Sequence, residues 1–379
     1  MVEEDADDQS CRRAARDGPM TEMVDPGCFL VTGGAGFIGS RLCLALREKY
    51  PTARVIALDN LHRRGSELQV PRLLGAGVEF VHGDVRNPED LQQVGACDVI
   101  IEAAADTSVL AGVGEEPGYV VRSNLIGAVN CLELARLRGA AFILLSSSRV
   151  YPVERLRAFE LERVGERFEL IETAERRGIT EAGINEQFPM DGVRTLYGAT
   201  KYAGELLAQE FFALYGVPGV INRCGVVAGP WQMARVDQGV VGLWCARHVY
   251  GGDLSYIGYD GYQVRDILHV DDLARLILRQ VELLPGIAGE VFNVGGGREV
   301  SVSLRELTRL CEAATGNRLE IGTAEEGRRG DVPLYYSDCA KVRQAVGWSP
   351  SVDVRTIVQD TCAWIEERHE LLRPFLAGP

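Results

Sequence analysis

A tyrosine and a lysine one helical turn apart are the residues of this sequence best placed to transfer a proton. Tyr197 and Lys201 occur in L-Y-G-A-T-K, and a helix predicted over residues 194–215 puts both on one face. An unperturbed phenol has a pKa near ~10, so acting as a base at neutral pH requires a fall of roughly 3 units, or ~4 kcal/mol. A neighbouring ammonium supplies part of that fall. Because this spacing is also common on helix surfaces, the pair alone does not establish a catalytic site.

A second tyrosine follows three serines in L-L-S-S-S-R-V-Y-P, residues 144–152. Ser147 and Ser148 come directly after an apolar run that predicts a strand, where their hydroxyl groups can contact a ligand. Tyr151 precedes a proline and has no lysine one turn later, so we expect it to pack below the site. Tyr197 is therefore the candidate base. The role of Arg149 is open at this point.

A glycine-rich stretch lies between the first predicted strand and the first predicted helix. In T-G-G-A-G-F-I-G, residues 32–39, Gly33, Gly36 and Gly39 form the pattern G-x-x-G-x-x-G. Glycines let the backbone turn sharply and approach a pyrophosphate, and the helix N-terminus offers free N–H groups and a partial positive charge. The sequence therefore predicts a dinucleotide site here, which includes Phe37 and Ile38 in the first helical turn.

An acidic residue at the end of the second predicted strand indicates which dinucleotide binds. Asp59 lies twenty residues beyond Gly39, where a carboxylate accepts hydrogen bonds from the adenosine ribose diol. The neighbouring Asn60 belongs to the same predicted site. A carboxylate here repels a 2′-phosphate, so NAD is favoured over NADP. Arg63 and Arg64 are close enough in sequence to keep NADP as an alternative.

Two further loops are expected to complete the cofactor site. H-G-D-V, residues 82–85, follows the third predicted strand, and Asp84 and Val85 would lie beside the adenine. A-A-A-D-T-S, residues 103–108, follows the fourth predicted strand. The small side chains of Ala103 and Ala104 there let the cofactor pass. All these loops follow strand C-termini, where open parallel sheets bind ligands.

Apolar runs and helical patterns alternate along most of the chain. Continuous apolar strands separated by helices are typical of a parallel sheet covered on both faces. We therefore predict an α/β fold with a Rossmann-type doubly wound parallel sheet and a smaller, mixed α/β C-terminal substrate-binding lobe. The predicted strands are 28–32, 54–58, 78–81, 98–102, 141–145, 217–222 and 290–294. The predicted helices are 37–49, 119–136, 194–215, 238–250, 271–283, 303–315, 337–346 and 354–372.

The same patterns divide the chain into parts. Residues 1–26 are polar and aperiodic, which predicts a disordered N-terminal tail. Residues 27–222 form the predicted NAD-binding domain, and residues 265–295 are expected to return to it. Residues 223–379 form most of the predicted nucleotide-sugar-binding lobe. Residues 152–190, rich in Glu and Arg, are predicted to be an insertion, either a solvated excursion or a lid over a nearby site.

Charge and composition narrow the possible partners. The chain has 379 residues and a net charge of −14, and such an acidic chain is a poor candidate for binding nucleic acid, which needs clustered Lys and Arg. No apolar run approaches the ~20 residues of a membrane span, so no membrane association is expected. The ten cysteines form no C-x-x-C pair. A metal site is therefore not expected, and a cytoplasmic protein with reduced thiols is predicted.

Taken together, the motifs resemble those of one large family. G-G-A-G-F-I-G, Asp59, G-D-V, S-S-S-x-V-Y and Y-G-A-T-K, in this order, are similar to the extended short-chain dehydrogenase/reductase superfamily of nucleotide-sugar-modifying enzymes, from about residue 28 to the C-terminus. The resemblance implies that Tyr197 is the catalytic acid/base, that Lys201 binds the nicotinamide ribose, and that Ser147 hydrogen-bonds the reacting sugar oxygen. The positive nicotinamide ring would help to lower the pKa of Tyr197. Family members commonly form homodimers through helices, one of which would carry Tyr197.

The resemblance also implies how an acidic chain binds a nucleotide-diphosphate sugar. Arg265 in Q-V-R-D-I-L-H-V-D-D and Arg329 in R-G-D occupy positions of arginines that contact the diphosphate. Asn124 holds a position near the nicotinamide and the substrate. The other residues expected to line the substrate site are Thr107, Ser148, Arg149, Asn222 and Gln238.

Two positions in the serine run distinguish the reactions of this family. The 4,6-dehydratases carry an Asp-Glu pair after the catalytic Ser or Thr, because eliminating water requires carboxyl groups. Decarboxylases and mannose dehydratases also place a Glu at the second position. Here the two residues are Ser148 and Arg149. Because an arginine cannot act as a carboxylate base, the resemblance favours NAD-dependent epimerisation through a transient keto intermediate.

A later stretch indicates the carbon and the nucleotide. W-Q-M-A-R-V-D-Q-G, residues 231–239, and R-C-x-x-x-x-G resemble CDP-paratose/CDP-tyvelose 2-epimerases, whereas Val226 stands where 4-epimerases usually carry Asn. We therefore expect inversion at C2 of a CDP-linked hexose or deoxyhexose. The alternatives are a 4-epimerase of the UDP-glucose/galactose type, a 4,6-dehydratase, a net oxidoreductase and, more remotely, a non-catalytic NAD-sensing module.

Overall fold

The structure, a computed structural model, describes residues 25–108, 116–171, 177–324, 327–328 and 330–377. The predicted N-terminal tail lies almost entirely outside the described residues. The strands are β1 Cys28–Thr32, β2 Arg54–Asp59, β3 Glu79–His82, β4 Val99–Glu102, β5 Ala141–Ser147, β6 Leu161–Val164, β7 Arg167–Leu170, β8 Ile179–Thr180, β9 Gly183–Ile184, β10 Gly219–Cys224, β11 Val226–Ala228, β12 Leu254–Ile257, β13 Val264–His269, β14 Val291–Val294, β15 Ser301–Ser303, β16 Ile321–Ala324 and β17 Leu334–Tyr335. The α-helices are α1 Phe37–Lys49, α2 Val70–Gly75, α3 Pro88–Gln92, α4 Gly118–Val121, α5 Gly127–Arg138, α6 Val153–Arg157, α7 Leu196–Tyr215, α8 Val240–Tyr250, α9 Val270–Ile287, α10 Leu304–Thr315, α11 Ala340–Val346, α12 Val354–Glu367 and α13 His369–Leu376.

Seven strands between residues 28 and 294 form one parallel sheet. Its strand order is β14-β10-β5-β4-β1-β2-β3, and every neighbouring pair is parallel. The register pairs Thr32 with Leu58 on one side and with Glu102 on the other, and pairs Ser147 with Cys224. The carboxyl ends of the strands therefore meet at one edge, as the prediction of a Rossmann-type sheet requires.

Two apolar layers bury the faces of this sheet. On one face, Leu42 and Leu46 of α1 and Leu273 and Ile277 of α9 pack against the strands. On the other face the packing residues are Cys131 and Leu132 of α5 and Ala208 of α7. All of them are at most 1% exposed. Burying each Leu or Ile stabilises the fold by roughly 1.5–3 kcal/mol, so helices on both faces hold the strand ends in place.

Two of the predicted helices differ from the observed ones. The helix predicted over 119–136 extends from Gly118 to Arg138 and contains a π-helical turn at Arg122–Ile126. The helix predicted over 354–372 is two helices, because Arg368 leaves the helical region with φ −117° and ψ 27°. A π-turn inserts an extra residue into the helical ladder, and such turns often occur at functional sites.

The C-terminal lobe contains strands that the apolar pattern did not predict. β13 pairs in parallel with β11 and β17 and antiparallel with β15, and β12 pairs with β16. These strands have two to six residues, which is too short for a clear periodicity. Helices α8, α10 and α12 cover them with a second core.

The insertion at residues 152–190 packs on this lobe. Its β6–β7 hairpin places Leu161, Phe168 and Leu170 against the core around Val264 and Leu334. Polar contacts extend the same interface: the Ser303 hydroxyl donates to the Glu166 carbonyl at 2.8 Å, and the Phe168 N–H donates to the Tyr262 carbonyl at 3.0 Å. The insertion therefore braces the lobe that carries Arg265.

Candidate active site

A cavity of about 520 Å³ lies between the carboxyl ends of the central strands and the C-terminal lobe. This volume is typical of a small-molecule site. Of the residues predicted for cofactor, catalysis or substrate, those that line it are Gly33, Gly36, Phe37, Ile38, Gly39, Asp59, Asn60, Asp84, Val85, Ala103, Ala104, Thr107, Ser147, Ser148, Arg149, Tyr197, Lys201, Gln238 and Arg265. No described residue of the insertion at residues 152–190 lines it, and the lid interpretation stays a prediction.

The glycine-rich turn has the geometry needed to hold a pyrophosphate. Gly33 adopts a φ of +64°, and a β-carbon at Gly39 would lie 2.0 Å from the Gly33 carbonyl oxygen. Side chains are therefore excluded at both positions. Helix α1 starts at the turn, no side chain caps it, and its first turn carries no acidic residue. Free N–H groups at the helix N-terminus thus face the cavity, where an anion fits.

Asp59 is held at the end of β2 with its carboxylate in the cavity. Its Oδ2 accepts a hydrogen bond from the Ala35 N–H at 3.0 Å, and its Oδ1 accepts one from the Leu61 N–H at 2.8 Å. Burial raises the pKa of Asp59, and these backbone donors oppose that rise. The carboxylate is therefore fixed beside the glycine-rich turn, where a ribose diol would be bound.

The two arginines that kept NADP open are engaged elsewhere. Arg63 donates to the Gln238 side chain at 2.6 Å and to the Met233 carbonyl at 2.5 Å. Arg64 donates to the Pro374 carbonyl at 2.9 Å. Each guanidinium thus has an acceptor within the protein, which is consistent with NAD as the cofactor.

Asp84 belongs to a small hydrogen-bonded group at the end of β3. It accepts from Asn60 Nδ2 at 2.9 Å and from Arg86 Nη2 at 2.6 Å. Burial raises the pKa of Asp84, but the Arg86 and Asn60 donors outweigh burial and bring it to about 2. The carboxylate is therefore charged at neutral pH and able to accept further hydrogen bonds in the cavity.

Tyr197 and Lys201 face the cavity from the first turns of α7. Thr195 caps this helix by accepting a hydrogen bond from the Gly198 N–H at 3.1 Å. Tyr197 is 7% exposed and Lys201 is 3% exposed. Burial raises the pKa of Tyr197, while the Lys201 ammonium and a hydrogen bond with Ser147 oppose the rise. The expected fall of this pKa is therefore not seen in the chain alone, because desolvation outweighs the lysine.

A buried carboxylate forms an ion pair with Lys201. Lys201 Nζ donates to Glu102 Oε2 at 3.2 Å, and Glu102 is fully buried at the end of β4. Desolvation lowers the pKa of Lys201, but Glu102 outweighs this effect and the pKa is raised. Glu102 was not among the predicted site residues. The signal that could have revealed it is an acid at the end of an otherwise apolar strand, D-V-I-I-E.

The guanidinium of Arg149 lies in the cavity wall beside Tyr197. It donates to the Gly330 carbonyl at 3.2 Å, and no acidic side chain in the described part of the chain forms an ion pair with it. Burial, aided by the nearby Arg265, lowers the pKa of Arg149 to about 10. Arg265 itself pairs with Asp331 at 2.5 Å. The arginines thus create a positive region on one side of an acidic molecule.

This geometry, a glycine turn beside an aspartate and a buried Tyr–Lys pair, agrees with the comparison to known families. Residues 29–295 match the NAD dependent epimerase/dehydratase family. The chain belongs to this family. NAD is accordingly its cofactor, and the chain is an enzyme of the nucleotide-sugar-modifying type.

Members of the family with several activities resemble the whole chain. The CDP-paratose 2-epimerase of Salmonella typhi is 28% identical over 345 residues, which cover 89% of this chain and 98% of that protein. The dTDP-glucose 4,6-dehydratase of Streptomyces niveus is 30% identical over 354 residues, which cover 92% and 95%. The crystal structure of UDP-glucuronic acid 4-epimerase from Bacillus cereus, with UDP-glucuronic acid and NAD, matches with a TM-score of 0.74 at 25% identity, covering 90% and 99%.

Two residues predicted for the substrate site, Asn124 and Asn222, are not found in the cavity wall. Asn124 is fully buried, and its side chain bonds the backbone of Asp106 at 2.8 and 2.9 Å, so it supports the loop after β4 instead. Asn222 is fully buried and exchanges two 2.8 Å hydrogen bonds with Gln280, because its side chain points to the face of the sheet covered by α9. Arg329 lies outside the described residues.

Contacts between the loop at residues 231–239 and the sheet edge were also missed. Ser108 donates to Asp237 at 2.5 Å, and Gln238 contacts Thr107 as well as Arg63. These bonds join the lobe to the loops after β2 and β4. Only the resemblance pointed to Asp237 and Gln238. Hydrogen bonds between residues 129 and 131 positions apart leave no local signal in the sequence.

Membrane-spanning helices and metal-binding clusters are both absent from the described part of the chain. No helix there is both long and apolar enough to cross a membrane. No group of three or more His, Cys, Asp or Glu side chains there is arranged to hold a metal ion. The nine cysteines of this part, Cys28 through Cys362, are free thiols.

Proposed function

We propose that the protein is an epimerase that inverts C2 of a CDP-linked hexose or deoxyhexose by oxidising and re-reducing that carbon. The family and the NAD site support the redox chemistry. The resemblance of residues 231–239 to 2-epimerases and the similarity to the CDP-paratose 2-epimerase of Salmonella typhi support the carbon and the nucleotide.

Each proposed catalytic residue has one task in this reaction. Held by the glycine-rich turn and Asp59, NAD would supply reversible hydride transfer to and from the sugar carbon, on either face of the transient ketone. Tyr197 accepts the hydroxyl proton as the ketone forms and returns it when the hydroxyl is restored. Lys201 binds the cofactor ribose and favours the phenolate of Tyr197. Ser147 hydrogen-bonds the reacting oxygen, and the cofactor leaves each cycle in its starting state.

The observation that carries the epimerase assignment is the position of Arg149. Eliminating water from a keto sugar requires a group that removes a carbon-bound proton and another that protonates the leaving hydroxyl. Arg149 lines the cavity near Tyr197, and neither it nor the adjacent Ser148 can provide a carboxyl group. At the two positions where the 4,6-dehydratases carry their Asp-Glu pair this chain therefore has no carboxyl group, which favours re-reduction of the keto sugar over elimination.

Arg265 and Arg149 are proposed to bind the substrate's diphosphate and sugar. Both line the cavity. A guanidinium matches phosphate oxygens in charge and geometry. A dianionic nucleotide sugar is thereby bound by a chain whose net charge is −14.

We also propose that two copies of the chain associate through α5 and α7. Apolar side chains on these helices are exposed: Leu137 is 61%, Leu206 47%, Leu214 69% and Tyr215 56% exposed. Adjacent helices with such a surface are suited to a twofold-symmetric helix bundle. The free thiols are consistent with a reducing, cytoplasmic location.

The experiment that tests the function is an assay over a set of nucleotide sugars. The purified protein is incubated with NAD and, separately, with CDP-paratose and with CDP-, UDP-, GDP- and dTDP-glucose, and the products are analysed by NMR. We expect a CDP-linked product inverted at C2 and no accumulation of NADH absorbance. Inversion at C4 would instead identify a 4-epimerase, and a keto product with a C6 methyl group would identify a dehydratase. Steady NADH formation would identify an oxidoreductase.

A further inference from the structure

We propose that Glu102 is a positioning residue that holds the ammonium of Lys201 beside Tyr197. This inference rests on the roles proposed above for the Tyr197–Lys201 pair. Its basis is the 3.2 Å contact between Lys201 Nζ and Glu102 Oε2, in which the two side chains are 3% and 0% exposed. No other acid in the described part of the chain pairs with this lysine.

The sheet fixes where this carboxylate stands. Glu102 is the last residue of β4, between β1 and β5, and its register partners are Thr32 and Leu144. A carboxylate at the centre of a sheet edge loses its hydration, and this loss is tolerated when an ammonium faces it closely. The strand and α7 therefore bring together two charges that depend on each other.

The other groups around the pair are weak competitors for its charges. Glu102 Oε1 has no hydrogen-bond partner among the described residues, and Lys201 uses one of its three donors on Glu102. The remaining donors are free for the cofactor ribose and for Tyr197. The titratable and charged groups that act electrostatically on Glu102, Lys201 or Tyr197 from the surrounding elements are Cys131, Arg149 and Cys224.

Two effects on protonation follow from this arrangement. The carboxylate keeps Lys201 charged in a buried place, because it raises the pKa of the lysine. It also opposes the phenolate of Tyr197, because both are negative. Removing the charge at position 102 must therefore lower the pKa of Lys201 and that of Tyr197 together. In a bell-shaped pH profile, both limbs would move to lower pH.

Lysine NMR tests the coupling without any substrate. The chain has three lysines, Lys49, Lys201 and Lys341, so protein labelled with ¹³Cε-lysine gives few signals, and Lys201→Arg assigns one of them. In the NAD-bound wild type we expect the Lys201 signal to titrate at least roughly 1 pH unit higher than in Glu102→Gln. Lys49 and Lys341, paired with Glu282 and Glu290 at 2.9 Å each, must not shift. An unchanged Lys201 midpoint would overturn the proposal.

The pH profile of turnover separates positioning from simple packing. In Glu102→Gln we expect both limbs to move down by roughly 1 unit and kcat to fall by up to about 100-fold. The matched control is Glu205→Gln, which removes another buried carboxylate, on α7, from contact with a cation, Arg223 of β10, but leaves Lys201 untouched. Its limbs should stay in place. Limbs that move equally in both variants would contradict the proposal.

A second variant covers the case in which Glu102→Gln does not fold. Glu102→Asp keeps the charge but withdraws it from Lys201, so the Lys201 midpoint should fall by less than in the glutamine variant. A midpoint equal to that of the wild type would again overturn the proposal. The titration needs no sugar, so failure of the coupling and failure of the proposed C2 chemistry are distinguished: the first appears in the NMR signal, the second in the product assay.

Discussion

Helix α7 carries two buried ion pairs that differ in how completely they are hydrogen-bonded. Beneath the site, Glu205 accepts from Arg223 at 2.7–3.2 Å and from Ser146 at 2.5 Å, and Arg223 also contacts the Tyr151 hydroxyl at 3.2 Å. In the site, Lys201 and Glu102 share one bond of 3.2 Å. In the Glu205–Arg223 pair, the carboxylate and the guanidinium each have several hydrogen-bond partners, and the pair joins strands of the sheet to the helix. In the Lys201–Glu102 pair, other N–H donors of the lysine have no partner among the described residues. Such donors are needed in a site that binds a ribose and assists a tyrosine.

The largest expected effect on turnover comes from replacing Tyr197, which lies beside the Lys201–Glu102 pair. Tyr197→Phe removes the proton acceptor, so we expect turnover of the nucleotide sugar to fall about 10²- to 10⁴-fold. Thermal unfolding should be nearly unchanged, because the ring stays buried. Steady-state kinetics with NMR detection of product measures this. A variant with more than a tenth of wild-type turnover would show that Tyr197 is not the acid/base.

Breaking the Glu205–Arg223 pair should lower the free energy of unfolding more than the other changes. Glu205→Gln leaves the Arg223 charge without a counterion, and such losses cost about 3–5 kcal/mol of unfolding free energy. Chemical denaturation measures the cost. The double variant Glu205→Gln/Arg223→Gln should recover part of it, since no charge is then stranded. If Glu205→Gln were as stable as the wild type, the contrast between the two pairs would be wrong.

The arginine pair at the cavity wall is expected to act on substrate binding. Arg265 contacts Asp331 and the Val332 carbonyl at 2.5 and 2.6 Å, and its position in the cavity suits a phosphate. Arg265→Met should raise KM for the nucleotide sugar about 10- to 100-fold, with a smaller change in kcat. Arg309→Met is the control, because Arg309 is exposed on the same lobe and its ion pair among the described residues is with Glu166. Equal effects of the two variants would exclude a binding role for Arg265.

Removing the partly exposed Asp84–Arg86 ion pair is expected to have the smallest effect. Asp84 beside Arg86 has a pKa of about 2, below the ordinary 3.8. A depressed pKa contributes stability that is present above the ordinary pKa and is lost as the pH falls towards 2. Asp84→Asn should therefore destabilise the protein slightly at pH 7 and hardly at all near pH 2. Urea midpoints at the two pH values measure this, and an equal loss at both would contradict the assignment.

The contrast between the two pairs also shows what the sequence could reveal. The glycine turn, Asp59 and the Tyr197–Lys201 spacing depend on local conformation, so their positions at strand ends and on one helix face were predictable. The parallel sheet followed from its apolar strands. Glu102 facing Lys201 could not be predicted, because 99 residues separate them and only the sheet order makes them neighbours.

Other features of the structure were out of reach of local sequence for the same reason. Asn222 lies in a predicted strand, but which face its side chain points to depends on the register of β10 with β5 and β14. Residues 152–190 lack a strong apolar pattern because their core contacts are supplied by β13 and β17 from the C-terminal lobe. In the chain alone burial raises the pKa of Tyr197, and burial is a quantity that the local sequence does not specify.

Isotope tracing tests the central claim, inversion of C2 by removal and return of a hydride, most directly. CDP-paratose deuterated at C2 is incubated with the enzyme and NAD in ordinary water, and the product is analysed by ¹H and ²H NMR. The account predicts a C2-inverted product that keeps deuterium at C2, since the hydrogen taken from the carbon is the one returned. Loss of the deuterium to solvent, or inversion at a different carbon, would contradict it.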